Sequence, residues 1–151
     1  MRGKYSAEQI NKLLSAQLNI PYSTLWDTFV QDCKTVKIQK GVLESINLLR
    51  SKYFVIMTTD NMDNFSRFTK PELSLEKYFD VISNSFEERM LKKDNSGELF
   101  LKYTRLYNAT IQNCVCLDDS QNVYEVFSKL GGIAYLVTPE KNISYWLTKI
   151  A

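Results

Sequence analysis

Along the first fifty positions the apolar residues recur at helical spacing. Ile10, Leu13, Leu14 and Leu18 share one helix face, Ser6 and Gln9 form a capping-box signature ahead of them, and Pro21 interrupts the run. Ser23 is the candidate cap of a second helix carrying Trp26, Phe29 and Val30, and Gly41 opens a third with Val42, Ile46 and Leu49 on one face. Beyond Arg50 the rhythm changes. Short apolar runs at 54–57, 81–82, 114–117 and 133–137 alternate with amphipathic stretches at 62–68, 73–79, 98–107 and 123–130, the last closed by Gly131-Gly132. This alternation predicts an α/β fold with a largely parallel sheet.

In open parallel sheets, ligands sit outside the carboxyl ends of the strands. Three of the predicted strands end in polar residues there: 54–57 delivers Thr58-Thr59-Asp60-Asn61, 81–82 delivers Ser83-Asn84-Ser85, and 114–117 delivers Asp118-Asp119-Ser120. Two adjacent carboxylates at the tip of a buried strand repel each other and need a cation or hydrogen-bond donors to neutralise them. Asp118 and Asp119 are therefore the leading site candidates, against the plainer reading in which one acid caps a helix and the other is solvated.

The composition narrows the chemistry. A chain of 151 residues, 44% hydrophobic, has the size and apolar content of one globular unit. The net charge of +2 comes from lysines and arginines spread among the acids, without the basic stripe of a nucleic-acid binder. No apolar stretch approaches the roughly 20 residues of a membrane span, and Met1-Arg2-Gly3-Lys4 leads into a polar helix, so the expected location is the cytoplasm. Cys33, Cys114 and Cys116 read as reduced core thiols. The chain has no histidine, which excludes histidine-based triads, histidine-ligated zinc and phosphohistidine chemistry. Catalysis would have to run on carboxylates, lysine, hydroxyls or a metal.

Taken in order, residues 40–138 resemble the haloacid dehalogenase superfamily, a group dominated by magnesium-dependent phosphohydrolases. The segment Val55-Ile56-Met57-Thr58-Thr59 is similar to the family's second motif, with Asp60 where Asn is usual, and Leu75-Glu76-Lys77-Tyr78-Phe79-Asp80-Val81-Ile82-Ser83 resembles the stretch that follows it. Lys92 and Lys93 compete for the family's lysine; counting back from Ser96 as a helix cap favours Lys93. Asp118-Asp119-Ser120-Gln121-Asn122 resembles the fourth motif. The resemblance implies a Rossmann-like three-layer core over residues 34–151, preceded by a partial helical cap over 1–33. It further implies that Thr59, Asn61 and Lys93 hold a phosphoryl group, with Thr59 and Lys93 in catalytic roles, and that Asp118 and Asp119 hold Mg2+.

One part of the family pattern has no counterpart. The first motif, Asp-x-Asp, carries the nucleophile and the general acid and base, and these 151 residues contain no Asp-x-Asp. The first strand is therefore expected to be absent, with the sequence starting inside the cap. In the family that strand lies between those bearing the second and fourth motifs, so its absence leaves a gap of about two strand spacings, near 10 Å. Three outcomes are open: the flanking strands pair directly, residues 34–38 supply a strand, or another copy or a separate chain does. The implied function is a phosphomonoester hydrolase, as a fragment or diverged member with little or no activity of its own, acting on a small phosphorylated metabolite. The alternative is a non-catalytic interaction or regulatory protein on the same fold.

Overall fold

The computed structural model describes residues 1–151. Helix α1 (Ala7–Leu18) starts at the predicted capping box: Ser6 Oγ accepts from Gln9 N, and Gln9 Oε1 accepts from Ser6 N at 2.8 Å. It ends on Asn19, whose left-handed φ of 52° turns the chain into α2 (Tyr22–Thr35). Pro21, not Ser23, stands at the N-cap of α2. Proline's fixed φ suits that entry, and Ser23 lies inside the helix.

Residues 36–39 form no strand; they connect α2 to α3 (Val42–Leu49), with Ile38 packed on the core and Gly41 at a φ of +86° starting the helix. Strand β1 (Ile56–Thr59) follows, two residues later than the apolar run suggests. The helix expected at 62–68 is realised as a π-helical turn, Phe65–Thr69, running into α4 (Lys70–Glu72). Pro71 there has no N–H to give a tighter ladder. Ser74, at a φ of 50°, reduces the helix expected at 73–79 to one 3-10 turn, Leu75–Lys77.

Strand β2 (Val81–Asn84) pairs parallel with β1, from Ile56↔Val81 to Thr59↔Asn84. After α5 (Ser85–Glu88) the chain crosses through α6 (Glu98–Leu106) to β3 (Val115–Asp118). Gly97, with φ +87°, rather than Ser96, begins α6. A Cβ on Gly97 would come within 2.7 Å of Val126 Cγ1 and 2.8 Å of Leu130 Cδ1, both on or next to α7 (Gln121–Lys129). Strand β4 (Ile133–Leu136) pairs parallel with β3, from Val115↔Ile133 to Asp118↔Leu136. A last helix, α8 (Ile143–Ile150), is capped by Asn142, whose Oδ1 accepts from Tyr145 N at 3.1 Å; the sequence reading did not anticipate it.

The four strands thus form two separate parallel pairs, β1 with β2 and β3 with β4. Of the expected ways to fill the gap, direct pairing of β1 with β3 and a strand from 34–38 are both ruled out. Ile38 packs on the core, and helices α3 and α8 pack on each other. Two cores result. On one face Val42, Ile46 and Leu49 meet Leu147, with Val55 and Leu117 against them; on the other Phe100, Ile111, Val123 and Phe127 cluster with Cys114, Cys116 and Ala134. The α1–α2 hairpin docks over residues 63–70, where Trp26 meets Phe68 edge-on and Thr69 Oγ1 donates to Cys33 O at 2.9 Å. No helix is long and apolar enough to cross a membrane.

Candidate active site

Both strand pairs point their carboxyl ends at one cleft of about 380 Å³, lined by Thr59, Asp60, Leu91, Lys92, Lys93, Asp118, Asp119 and Ser120, with Met1 at its edge. Parallel pairing carries Thr59 and Asp118 to the carboxyl ends of β1 and β3, and both line the one cleft. That is where open α/β sheets place their ligands.

Lys92 ties the two halves together. Its Nζ donates to Asp118 Oδ2 at 2.6 Å, and its backbone N–H donates to Asp60 Oδ1 at 3.0 Å. The pair is largely buried, with 14% of the lysine side chain and 8% of the aspartate exposed. Ser120 N donates to the other Asp118 oxygen at 2.9 Å, so the carboxylate is matched on both sides. Lys93, favoured by counting back from Ser96, lines the cleft but makes no hydrogen bond or ion pair. The count fails because an irregular 3-10 turn, Asp94–Ser96, precedes α6 and shifts its start to Gly97.

Thr59 lines the cleft, whereas Asn61 does not. Asn61 Nδ2 donates to Thr59 Oγ1 at 2.7 Å. A hydroxyl that accepts from a neighbour turns its own hydrogen elsewhere, which leaves Thr59 free to donate to an oxygen in the cleft. Asp119 is exposed and unpaired. Asp60 is the contributor that sequence reading missed: its only signal was its place after Thr59, and nothing in the pattern shows a carboxylate positioning a backbone 32 residues away. Behind the rim, burial and the charge of Asp118 push the Cys116 thiol up to about 12, with Lys92 opposing, so it stays protonated at neutral pH. Nearby, the Arg2 guanidinium holds Asp94 at about 2 and fixes the N-terminal arm over the loop carrying Lys92.

Three carboxylates, Asp60, Asp118 and Asp119, face two ammonium groups in this cleft. An entering phosphate would add negative charge to a site already short of positive charge, and a divalent cation would correct the balance. No group of three or more ligating side chains converges, so the residues do not fit a metal enclosed by protein. Mg2+ of the kind that keeps most of its water and takes only one or two carboxylates would ask less of the protein, and Asp119, with a remaining lone pair of Asp118, would be the residues to hold it.

Solved structures share this architecture. A HAD family enzyme from Bacteroides thetaiotaomicron, in complex with magnesium and inorganic phosphate, matches with a TM-score of 0.78 at 19% identity, over 96% of this chain and 75% of its own. The fold is that of the haloacid dehalogenase superfamily. A predicted HAD-like family hydrolase from Porphyromonas gingivalis matches with a TM-score of 0.75 at 18% identity, over 99% of this chain and 75% of its own. A second structure of the Bacteroides enzyme matches 68% of this chain and 53% of its own, at 24% identity and a TM-score of 0.62. No protein-family sequence profile matches the chain. No curated protein does either. The haloacid dehalogenase-like fold accounts for the parallel strand pairs and the helices around them.

Proposed function

We propose that this chain carries most of a phosphomonoester hydrolase site on the haloacid dehalogenase fold, binds a small phosphorylated molecule with Mg2+, and turns it over little or not at all by itself. The observation that carries the reading is the convergence of the Thr59 hydroxyl, oriented by Asn61, with Lys92 and the Asp118-Asp119 pair at the junction of the two strand pairs. Thr59 offers a donor and Lys92 a positive charge for phosphoryl oxygens, with Lys93 as a second cation at the cleft wall. Mg2+ held at Asp119 and Asp118 would supply the charge neutralisation that phosphoryl groups need. Weak turnover is the expectation because Asp118 is held by Lys92 and Ser120, Asp119 is assigned here to the metal, and Asp60 already accepts from the Lys92 backbone N–H through one of its oxygens. Loss of a nucleophile costs several orders of magnitude in rate while binding survives.

The test separates binding from turnover. Calorimetric titration with inorganic phosphate should show binding that needs Mg2+ and is weakened about tenfold or more in Thr59→Val and Asp119→Asn. Hydrolysis of an aryl phosphate by the same preparation should stay near background. Phosphate binding that is absent with Mg2+ would sink the reading, and Mg2+-dependent turnover lost in Asp119→Asn would show that one of these carboxylates does act as nucleophile.

A further inference from the structure

Ser83-Asn84-Ser85, at the end of β2, occupies the place where a parallel sheet presents residues to a ligand, yet none of the three lines the cleft. All three are buried, with 3% of Asn84 exposed. Buried polar groups are destabilising unless their hydrogen bonds are made, so the partners they take show what each one holds. Ser83 Oγ turns to Glu88 Oε1 at 3.5 Å. Asn84 and Ser85 reach instead to the segment that leaves β1 and carries Asp60, Asn61 and Met62.

Residues 60–62 belong to no helix or strand, so no regular ladder fixes their path. Asn84, paired with Thr59 in the β1–β2 register, supplies a fixed point. Its Nδ2 donates to Met62 O at 2.9 Å and to Ser66 Oγ at 3.1 Å, and its Oδ1 accepts from Phe86 N at 3.3 Å. Both amide hydrogens are thus in use. Ser85 Oγ has one hydrogen and lies 3.2 Å from Asn61 O and 3.1 Å from Met1 O, so it holds the segment less firmly than Asn84 does. The anchored segment carries the Asn61 side chain, whose Nδ2 donates to Thr59 Oγ1 at 2.7 Å. Of the staggered χ1 wells open to a threonine, that bond selects the one that keeps the hydroxyl on the amide.

We propose that Asn84, which does not line the cleft, is a positioning residue for it. Its side chain holds Met62 and Ser66, the held segment keeps the Asn61 amide on Thr59, and Thr59 stays in the one rotamer from which its hydroxyl serves the cleft. An amide suits this task because it donates twice and accepts from one rigid plane; a carboxylate lacks the donors, and a serine hydroxyl lacks the reach. What Thr59 does for a ligand rests on the proposed phosphate reading. How Thr59 is held does not.

Nuclear magnetic resonance of the full chain with labelled threonine methyls tests it, through the three-bond couplings of Thr59 Cγ2 that report χ1. The wild type should give the couplings of a single rotamer. Asn84→Ser keeps a cap for Phe86 N but is too short to hold Met62 O, so its Thr59 couplings should be averaged over rotamers, as should those of Asn61→Ala. Ser66→Ala removes one of the two Nδ2 bonds and should move the couplings the same way, by less. Phe127→Leu, in the separate core with Phe100, should lower the melting temperature without moving them, which sets positioning apart from general loosening. Calorimetry with inorganic phosphate and Mg2+ gives the second readout. Asn84→Ser should weaken binding about fivefold or more, but by less than about twofold once Thr59→Val has removed the hydroxyl. Couplings unmoved in Asn84→Ser would overturn the proposal; should that chain not fold, couplings unmoved in Ser66→Ala and Asn61→Ala would do so. Equal weakening with and without the Thr59 hydroxyl would overturn it as well. A wild type that binds no phosphate, with Thr59 fixed only while Asn84 is present, would remove the phosphate reading and support the positioning role.

Discussion

Lys92 and Lys93 are adjacent, identical in type and both at the cleft, yet their surroundings predict opposite consequences of removal. Lys92→Ala leaves Asp118, 8% exposed, without its counter-ion. Breaking such a pair costs about 3 kcal/mol, since an uncompensated charge remains in a poorly solvated place. Lys93→Ala should change urea stability by less than about 0.5 kcal/mol, as expected for a residue with no partner. Equal midpoints for the two variants would remove Lys92 from its assigned place. Which side chains line the cleft was only partly legible. Thr59, Asp118 and Asp119 could be found because strand ends in a parallel sheet are ordered by topology. The choice between the lysines depended on a loop with left-handed residues at Arg89, Asn95 and Ser96, a path that apolar periodicity does not encode.

Elements were legible where one local rule governed them. The capping box of α1, the short apolar runs of the strands and the glycine start of α3 all appear as the sequence indicates. Local backbone choices defeated the rest: Ser74 broke one predicted helix, Pro71 accompanied a π-helical turn in another, and α8 was overlooked although Asn142 marks its start. Gly97→Ala should destabilise the protein by about 2 kcal/mol in chemical denaturation, because a Cβ there meets Val126 and Leu130 and the φ is left-handed. Wild-type stability in that variant would mean the α6–α7 contact is looser than drawn. The α1 attachment is a matter of charge. Arg67 holds Glu8 at about 2, below its ordinary 4.5, and Arg2 holds Asp94 at about 2, below 3.8. Because both pKa values are lower in the folded state, their stabilisation is complete above about pH 4.5 and is lost as pH falls toward 2. Trp26 packs on Phe68 and near Arg67, so its fluorescence should report loosening of the hairpin across that window. A Glu8→Gln, Asp94→Asn variant should flatten that profile; an unchanged acid transition would assign it to other carboxylates.

At the scale of the whole molecule, the sequence pattern led to the expectation of a gap that is closed by direct pairing or filled by a strand from residues 34–38, another copy or a separate chain. The strands instead form two separate pairs, with neither of the first two. Chain pattern records which residues are apolar, and says nothing of whether two half-sheets approach each other or are held apart by the helices over them. Here α3 and α8 pack on each other, and that pairing has a consequence for how the molecule comes into being. Val42, Ile46 and Leu49 find their buried partner in Leu147, and Lys52 Nζ reaches the Ala151 carbonyl at 2.7 Å, about a hundred positions further along. During synthesis at about 5–20 residues per second, α3 therefore waits several seconds or more, with only nearer partners such as Val55, Tyr78 and Phe79 against it, until α8 leaves the ribosome. The other core, from Phe100, Ile111, Val123 and Phe127, involves neighbours close in sequence and can assemble without waiting. The nascent chain thus passes through an interval in which its second half is ordered and its first half is sticky, and that interval is when it most needs a chaperone.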